Sequence, residues 1–427
     1  MPRHTDESGE GHSFFAKSPH LTAQERDKRA EEPETSQNEK LQKMPLISTE
    51  QLNYQGVYPL QEAIKAQIPD DFLTDSGLCT GFEQAFRRLL GIERTIHLTS
   101  SPQVALTAAL RMLQLREGES LFVPAYWRKE YVDCLLAMRL RPIFVEVTSF
   151  NMAMDPLLLG KHLERMVNAG TPLPRAIIVA HAHGIPANME LLCEVAQRYN
   201  MTIIEDCSQA LGSFIDERAC GTWGQLSFFS FSTGEIIQAG MAGALTWSEN
   251  RSLSITAPYH SWSAQEKLSI EAWLRPYPLA PLQAAVLLPQ LAQLKEAIEK
   301  KRLMAKLYRK YLTQAFGLRY LSWPDDASHS YRPNYSSQPI HIEPTMLHFS
   351  RHELGRALQE KQFVPLLPPL ESLSELPALH TYSSVVSGVA QSMAPDMLYL
   401  PDDSTLTGAR TLEVVEVIRQ LVYKYNS

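Results

Sequence analysis

Long apolar runs are missing from this chain of 427 residues. The longest, such as the one across 175–182, are far too short to cross a bilayer, which argues against a membrane-spanning role. The N-terminus shows no apolar core of a secretory signal. Cysteine is scarce: the five are Cys79, Cys134, Cys193, Cys207 and Cys220, at unrelated spacings. An odd, dispersed set offers no disulfide framework and fits reduced thiols in the cytoplasm. No pair has the short spacing of a zinc knuckle, so no metal site is expected. A basic stripe is missing too. Lysine and arginine number 40 against 47 acidic residues, a formal charge of −7. That balance argues against nucleic acid as a partner. Finally, no lysine occurs between Lys161 and Lys267. Whatever that stretch builds has no side-chain amine to offer as a nucleophile.

What is present suits a soluble globular chain: 44% of residues are hydrophobic and 20% charged. A chain of this length buries a large core without staples. Residues 1–43 are rich in Glu, Lys, Arg, Ser and Gln, with Phe14 and Phe15 their only aromatics. Such a segment buries too little apolar surface to offset its ordering entropy, so a disordered tail is expected. A large domain is expected over 44–260, and a linking helix with a smaller α+β domain over 261–427.

From 84 to 245 strand and helix patterns alternate. Amphipathic or apolar helical spacing covers 82–90, 102–113, 131–138 and 188–199. Short apolar strands are expected at 95–99, 120–123, 142–147, 176–180 and 201–205. This alternation predicts an α/β fold with a mostly parallel sheet covered on both faces. A long helical stretch follows at 282–312, where Pro289 is expected to kink or interrupt it. Helices are expected again at 351–361 and 412–425.

Several stretches resemble one family. They are Phe82-Glu83-x-x-Phe86, His181-x-x-Gly184-x-Pro186-Ala187-Asn188-Met189, and Ile204-Glu205-Asp206-Cys207-Ser208-Gln209-Ala210. Gly221-Thr222-Trp223-Gly224, Phe229-Ser230-Phe231 and Leu282-Gln283-Ala284-Ala285 continue the series. Each is a weak signal alone. In this order, across roughly 72–320, they resemble the DegT/StrS-type sugar-nucleotide aminotransferases, pyridoxal-phosphate enzymes of fold type I. The resemblance implies that fold, a homodimer with sites at the subunit interface, a nucleotide-sugar ligand and polysaccharide biosynthesis. It also assigns cofactor-binding roles to Asp206 at the pyridine nitrogen, Gln209 near the phenolic oxygen, Ser230 at the phosphate, and Gln103 in the phosphate loop. Their residue types leave plainer readings open: a strand-end or capping Asp, a turn Gln, a buried Ser bonded to backbone.

The departures from the family pattern carry the functional reading. A lysine five residues after the phosphate serine would form the internal imine and shuttle protons. That position holds Glu235, and a carboxylate cannot form an imine. The phosphate loop reads Ser101-Pro102-Gln103, where Pro102 has no N–H to donate to an anion. The family's Asn-Tyr-Arg, which reaches the partner's phosphate, is replaced by Pro276-Tyr277-Pro278. Pyridoxal or pyridoxamine phosphate is therefore expected to bind weakly or not at all. The expected function is that of an aminotransferase-like protein without transaminase activity, binding a nucleotide-sugar or modulating a partner. One alternative is a redeployed enzyme, with or without the cofactor, using Glu235 as general base. Another is a conventional transaminase with a relocated lysine, for which Lys129 in the aromatic loop 124–129 is the candidate.

Overall fold

The computed structural model describes residues 76–426, apart from 92–93, 249–255, 259–266, 313–316, 324–328, 367, 369, 383, 386–387 and 403–405. The tail over 1–43 and the boundary at 260/261 lie outside the described residues. The described residues belong to one compact unit.

Its centre is an eight-stranded sheet. Seven strands are β1 (Thr95–Thr99), β2 (Ser120–Pro124), β3 (Arg141–Val145), β4 (Ala176–Ala180), β5 (Thr202–Asp206), β6 (Leu226–Ser230) and β7 (Gly243–Trp247). The spatial order is β1-β7-β6-β5-β4-β2-β3, closed by Ser384–Val385 on the β3 edge. All neighbours pair in parallel except across β7, which is antiparallel to both β1 and β6. β4 is buried at every position, as a strand of Ala, Ile and Val between two sheet neighbours must be.

Helices cover both faces: α1 (Ser76–Leu90), α2 (Pro102–Met112), α3 (Lys129–Ala137), α4 (Pro156–Asn168) and α5 (Met189–Arg198). Local chemistry fixes their ends. Gly91 follows α1 at φ +69, where a residue without Cβ is at ease. Asp155 and Asn188 accept N–H groups at the starts of α4 and α5. β6 shows how the sheet is shared. Phe228 packs with α2 and α3, while Phe229 meets Phe86 of α1 edge to face at 4.9 Å. Each buried ring is worth roughly 1.5–3 kcal/mol of apolar transfer.

The long helical stretch is two helices, α6 (Pro281–Ala292) and α7 (Leu294–Leu312). Pro289 lies inside α6, and the break falls at Gln293, one turn later. The expected interruption is displaced: the proline deletes one backbone bond, the one to the Ala285 carbonyl, and the Gln290 side-chain amide adds a bond to the neighbouring Val286 carbonyl. α7 packs on a second, three-stranded antiparallel sheet of β8 (Leu318–Tyr320), β9 (Gln338–Ile342) and β10 (Met397–Leu400). Helices α8 (Arg351–Glu360) and α9 (Gly408–Asn426) complete that core. No described helix is long and apolar enough to cross a membrane.

Candidate functional site

Parallel strands aim their carboxyl ends at one edge, where ligands of such folds bind. β5 delivers Asp206 there, almost fully buried. Both of its oxygens are engaged. Oδ1 accepts the Ser208 N–H at 2.8 Å, and Oδ2 accepts the Trp127 indole N–H at 2.7 Å. Trp127 is fully buried. It sits on a two-residue strand, Tyr126–Trp127, that pairs with Glu371–Ser372. Its ring lies 5.4 Å from Tyr131, whose hydroxyl shares a hydrogen bond with Ser208.

Arg128 follows directly. Its guanidinium donates to Glu235 Oε1 at 2.5 Å, with the side chains 17% and 2% exposed. Burial pushes the Glu235 carboxyl up to about 7, against the pull of Arg128 and with the help of nearby Asp206. Glu235 Oε2 is buried without a partner among the described residues. Arg128 stays charged: burial opposes its charge, but Glu235, Tyr131 and Asp206 outweigh that and raise its pKa.

Gln209 is turned to other partners. Its Oε1 accepts the His183 N–H at 2.9 Å, and its Nε2 donates to the Tyr399 hydroxyl at 3.4 Å. Tyr399 comes from β10, so both sheets contribute to the site. Burial holds His183 down to about 3, so it is neutral. What space remains among Arg128, His181, Asp206, Ser208 and Gln209 is about 10 Å³. That is the room of roughly one water, against some hundreds of Å³ for a cofactor pocket.

The other two sequence-predicted residues do not line this space. Ser230 accepts the N–H of Ser232 at 3.2 Å, closing its own turn. Gln103 lies in the first turn of α2, its Oε1 buried without a partner among the described residues. Before it, Ser101 caps the helix by accepting the Val104 N–H, and Pro102 occupies the first helical position. β7 presses on this loop: a Cβ at Gly243 would lie 2.7 Å from the Pro102 nitrogen. Tyr277 is 40% exposed, and its carbonyl accepts the Ser100 N–H of the same chain. Lys129 turns outward, 56% exposed, and pairs with Glu371 at 3.2 Å.

Set against the roles that the resemblance implies for pyridoxal phosphate, the residues present do not match. Asp206 is engaged by an indole, position 235 holds an acid paired to arginine, and the loop 101–103 caps its own helix. Sequence reasoning saw Trp127 only as part of the aromatic loop 124–129 and missed Arg128 and Tyr399. One signal was available: a buried Glu235 demands a cation, and the aromatic loop carries two, Arg128 and Lys129.

His181, Glu205 and Cys207 also cluster. His181 Nδ1 accepts the Ala187 N–H, which assigns the proton to Nε2, facing Glu205 Oε2 at 3.1 Å. Glu205 further accepts N–H groups of Gly221 and Gly224. Burial would push its carboxyl up, but these bonds hold it below the ordinary range. A metal on Nε2 would need the proton moved to Nδ1, against the Ala187 N–H. The cluster is a strut that pins the turn 221–224 beneath β5.

A family model, the DegT/DnrJ/EryC1/StrS aminotransferase family, matches residues 59–419. The dTDP-3-amino-3,6-dideoxy-alpha-D-galactopyranose transaminase of Aneurinibacillus thermoaerophilus is 27% identical over 293 residues, covering 67% of this chain and 77% of that protein. A crystal structure of a DegT DnrJ EryC1 StrS aminotransferase from Brucella abortus superposes with a TM-score of 0.73 at 22% identity, over 87% of this chain and 97% of that one. The S. venezuelae DesV structure in complex with a ketimine intermediate gives 0.67 at 25% identity, over 85% and 96%.

Proposed function

The chain belongs to the DegT/DnrJ/EryC1/StrS aminotransferase family, and on that premise we propose that it is a member that has kept the fold and given up transamination. Its role is then to bind a nucleotide-linked sugar, or to modulate a partner in polysaccharide biosynthesis, as a cytoplasmic homodimer. The observation that carries this reading is the Arg128–Glu235 ion pair at 2.5 Å. An acid held by a guanidinium stands where the family pattern has its amine. The engaged Asp206 and the small remaining space support it.

Titration with pyridoxal phosphate, followed by absorbance before and after borohydride, tests the proposal. The expected result is no reducible band in the wild type and none in Glu235→Lys, because the variant regains an amine but not the phosphate anchors. A reducible adduct in the wild type would overturn the reading. Thermal-shift measurements against nucleotide-linked sugars test the binding role.

One observation favours a second reading. Glu235 is buried, rests near neutrality and has an oxygen without a partner among the described residues. A carboxylate tuned to about 7 suits a general base acting on a sugar. Turnover of a nucleotide-linked sugar that is lost in Glu235→Gln would favour this reading over the first. A relocated lysine has less support, since Lys129 is engaged at the surface by Glu371.

A further inference from the structure

Trp127 and a bound heterocycle would compete for the same atom. Asp206 has two carboxylate oxygens, one taken by the Ser208 N–H and the other by the indole N–H at 2.7 Å. A ring nitrogen approaching this carboxylate finds a ring nitrogen already there. The indole is flat, aromatic and fully buried. It is not held loosely. The Tyr126–Trp127 strand is paired to Glu371–Ser372, the Ala125 carbonyl accepts the Leu373 N–H, and Arg128 is tied to Glu235. The space left beside Asp206, about 10 Å³, has room for no second ring.

We propose that Trp127 is an internal ligand of this site: its indole occupies the place of a heteroaromatic N–H donor on Asp206, and removing it creates a pocket selective for such donors. The proposal rests on the reading that the chain has given up its family's cofactor chemistry. It adds a ligand class. The opened pocket takes flat, bicyclic or monocyclic aromatics that carry a ring N–H, and discriminates against the same shape without one. The discrimination follows from the carboxylate, since a buried oxygen left without its donor penalises a ligand that cannot supply one.

The experiment uses the full chain as Trp127→Ala, with indole and its carbon isostere indene as probes. Trp127→Ala is expected to melt below the wild type. Millimolar indole is expected to recover part of that loss, with indene binding about tenfold or more weakly. The wild type is expected to respond to neither. Equal rescue by indole and indene, or a wild-type response to indole, would overturn the internal-ligand assignment. Should Trp127→Ala not fold, 3-benzothienylalanine at position 127 keeps the bicyclic shape and deletes only the N–H. The melting temperature of that variant should then fall, and an unchanged value would equally overturn the assignment. The two readings fail separately. A borohydride-reducible adduct in the wild type defeats the lost chemistry, while equal rescue by the two probes defeats only the role of Trp127.

Discussion

Glu235 is a carboxyl group whose charge is set by its surroundings rather than by its own chemistry. Its carboxyl is pushed up to about 7, above the ordinary 4.5 of a glutamate. The folded chain thus holds this proton more tightly than the unfolded chain. The resulting stabilisation is full below about 4.5 and disappears as pH rises through about 7. At 1.36 kcal/mol per unit, the slope integrates to about 3 kcal/mol. Glu235→Gln, which keeps an acceptor for Arg128 without a titrating proton, should flatten stability between pH 5 and 8. Urea denaturation of the two proteins across that window checks it, and parallel curves would refute the assignment. At this scale the sequence was only half legible. It put an acid, Glu235, where the resemblance implies an amine. It did not show that Arg128 neutralises that acid or that Trp127 claims Asp206, because both contacts join residues 79–107 positions apart.

The elements themselves were easier to read. Their apolar pattern survives into the structure because the central positions of β2, β4 and β5 are buried and filled by Leu121, Phe122 and Val123, by Ile177, Ile178 and Val179, and by Ile203 and Ile204. What periodicity could not reveal is how one turn is clamped to another. Gly184, in the His-x-x-Gly turn after β4, has φ +76, and a Cβ there would fall 1.7 Å from Asn334 Oδ1 and 2.8 Å from the Gln209 carbonyl. Asn334 is fully buried and donates to the carbonyls of Gln209 and Leu211. It thereby ties the chain leading into β9 to the turn that follows Asp206. Gly184→Ala should strain the backbone and dislodge this amide together, at a cost of about 3 kcal/mol or more. A shifted urea midpoint measures the loss, and a change under 1 kcal/mol would show that the clamp yields cheaply.

Across the whole molecule, the late part of the chain is fastened to the early part by another carboxylate. Glu146, just after β3 and fully buried, accepts N–H groups of Gly388, Val389 and Ala390. Glu146→Gln replaces an acceptor-only group by one that can serve fewer of these donors. We expect a loss of about 2 kcal/mol and faster hydrogen exchange across 388–400, with exchange elsewhere little changed. Uniform exchange across the chain would instead mean that this clasp has no local role. Nothing at 146 announced the contact in advance. A single Glu after an apolar strand looks like an ordinary strand end, and its partners lie 242–244 positions away.

The same separation bears on timing. The edge on which Trp127 is seated belongs to Glu371–Ser372, and the neighbouring Lys129–Glu371 pair spans 242 residues. At typical rates of synthesis, this takes roughly 10–50 seconds of translation. For the later part of that interval, once residue 206 has been made, β5 and Asp206 exist on the ribosome while the strand that seats the indole still has no partner. The wall of the cleft is among the last pieces made, so the indole takes its seat only near chain release.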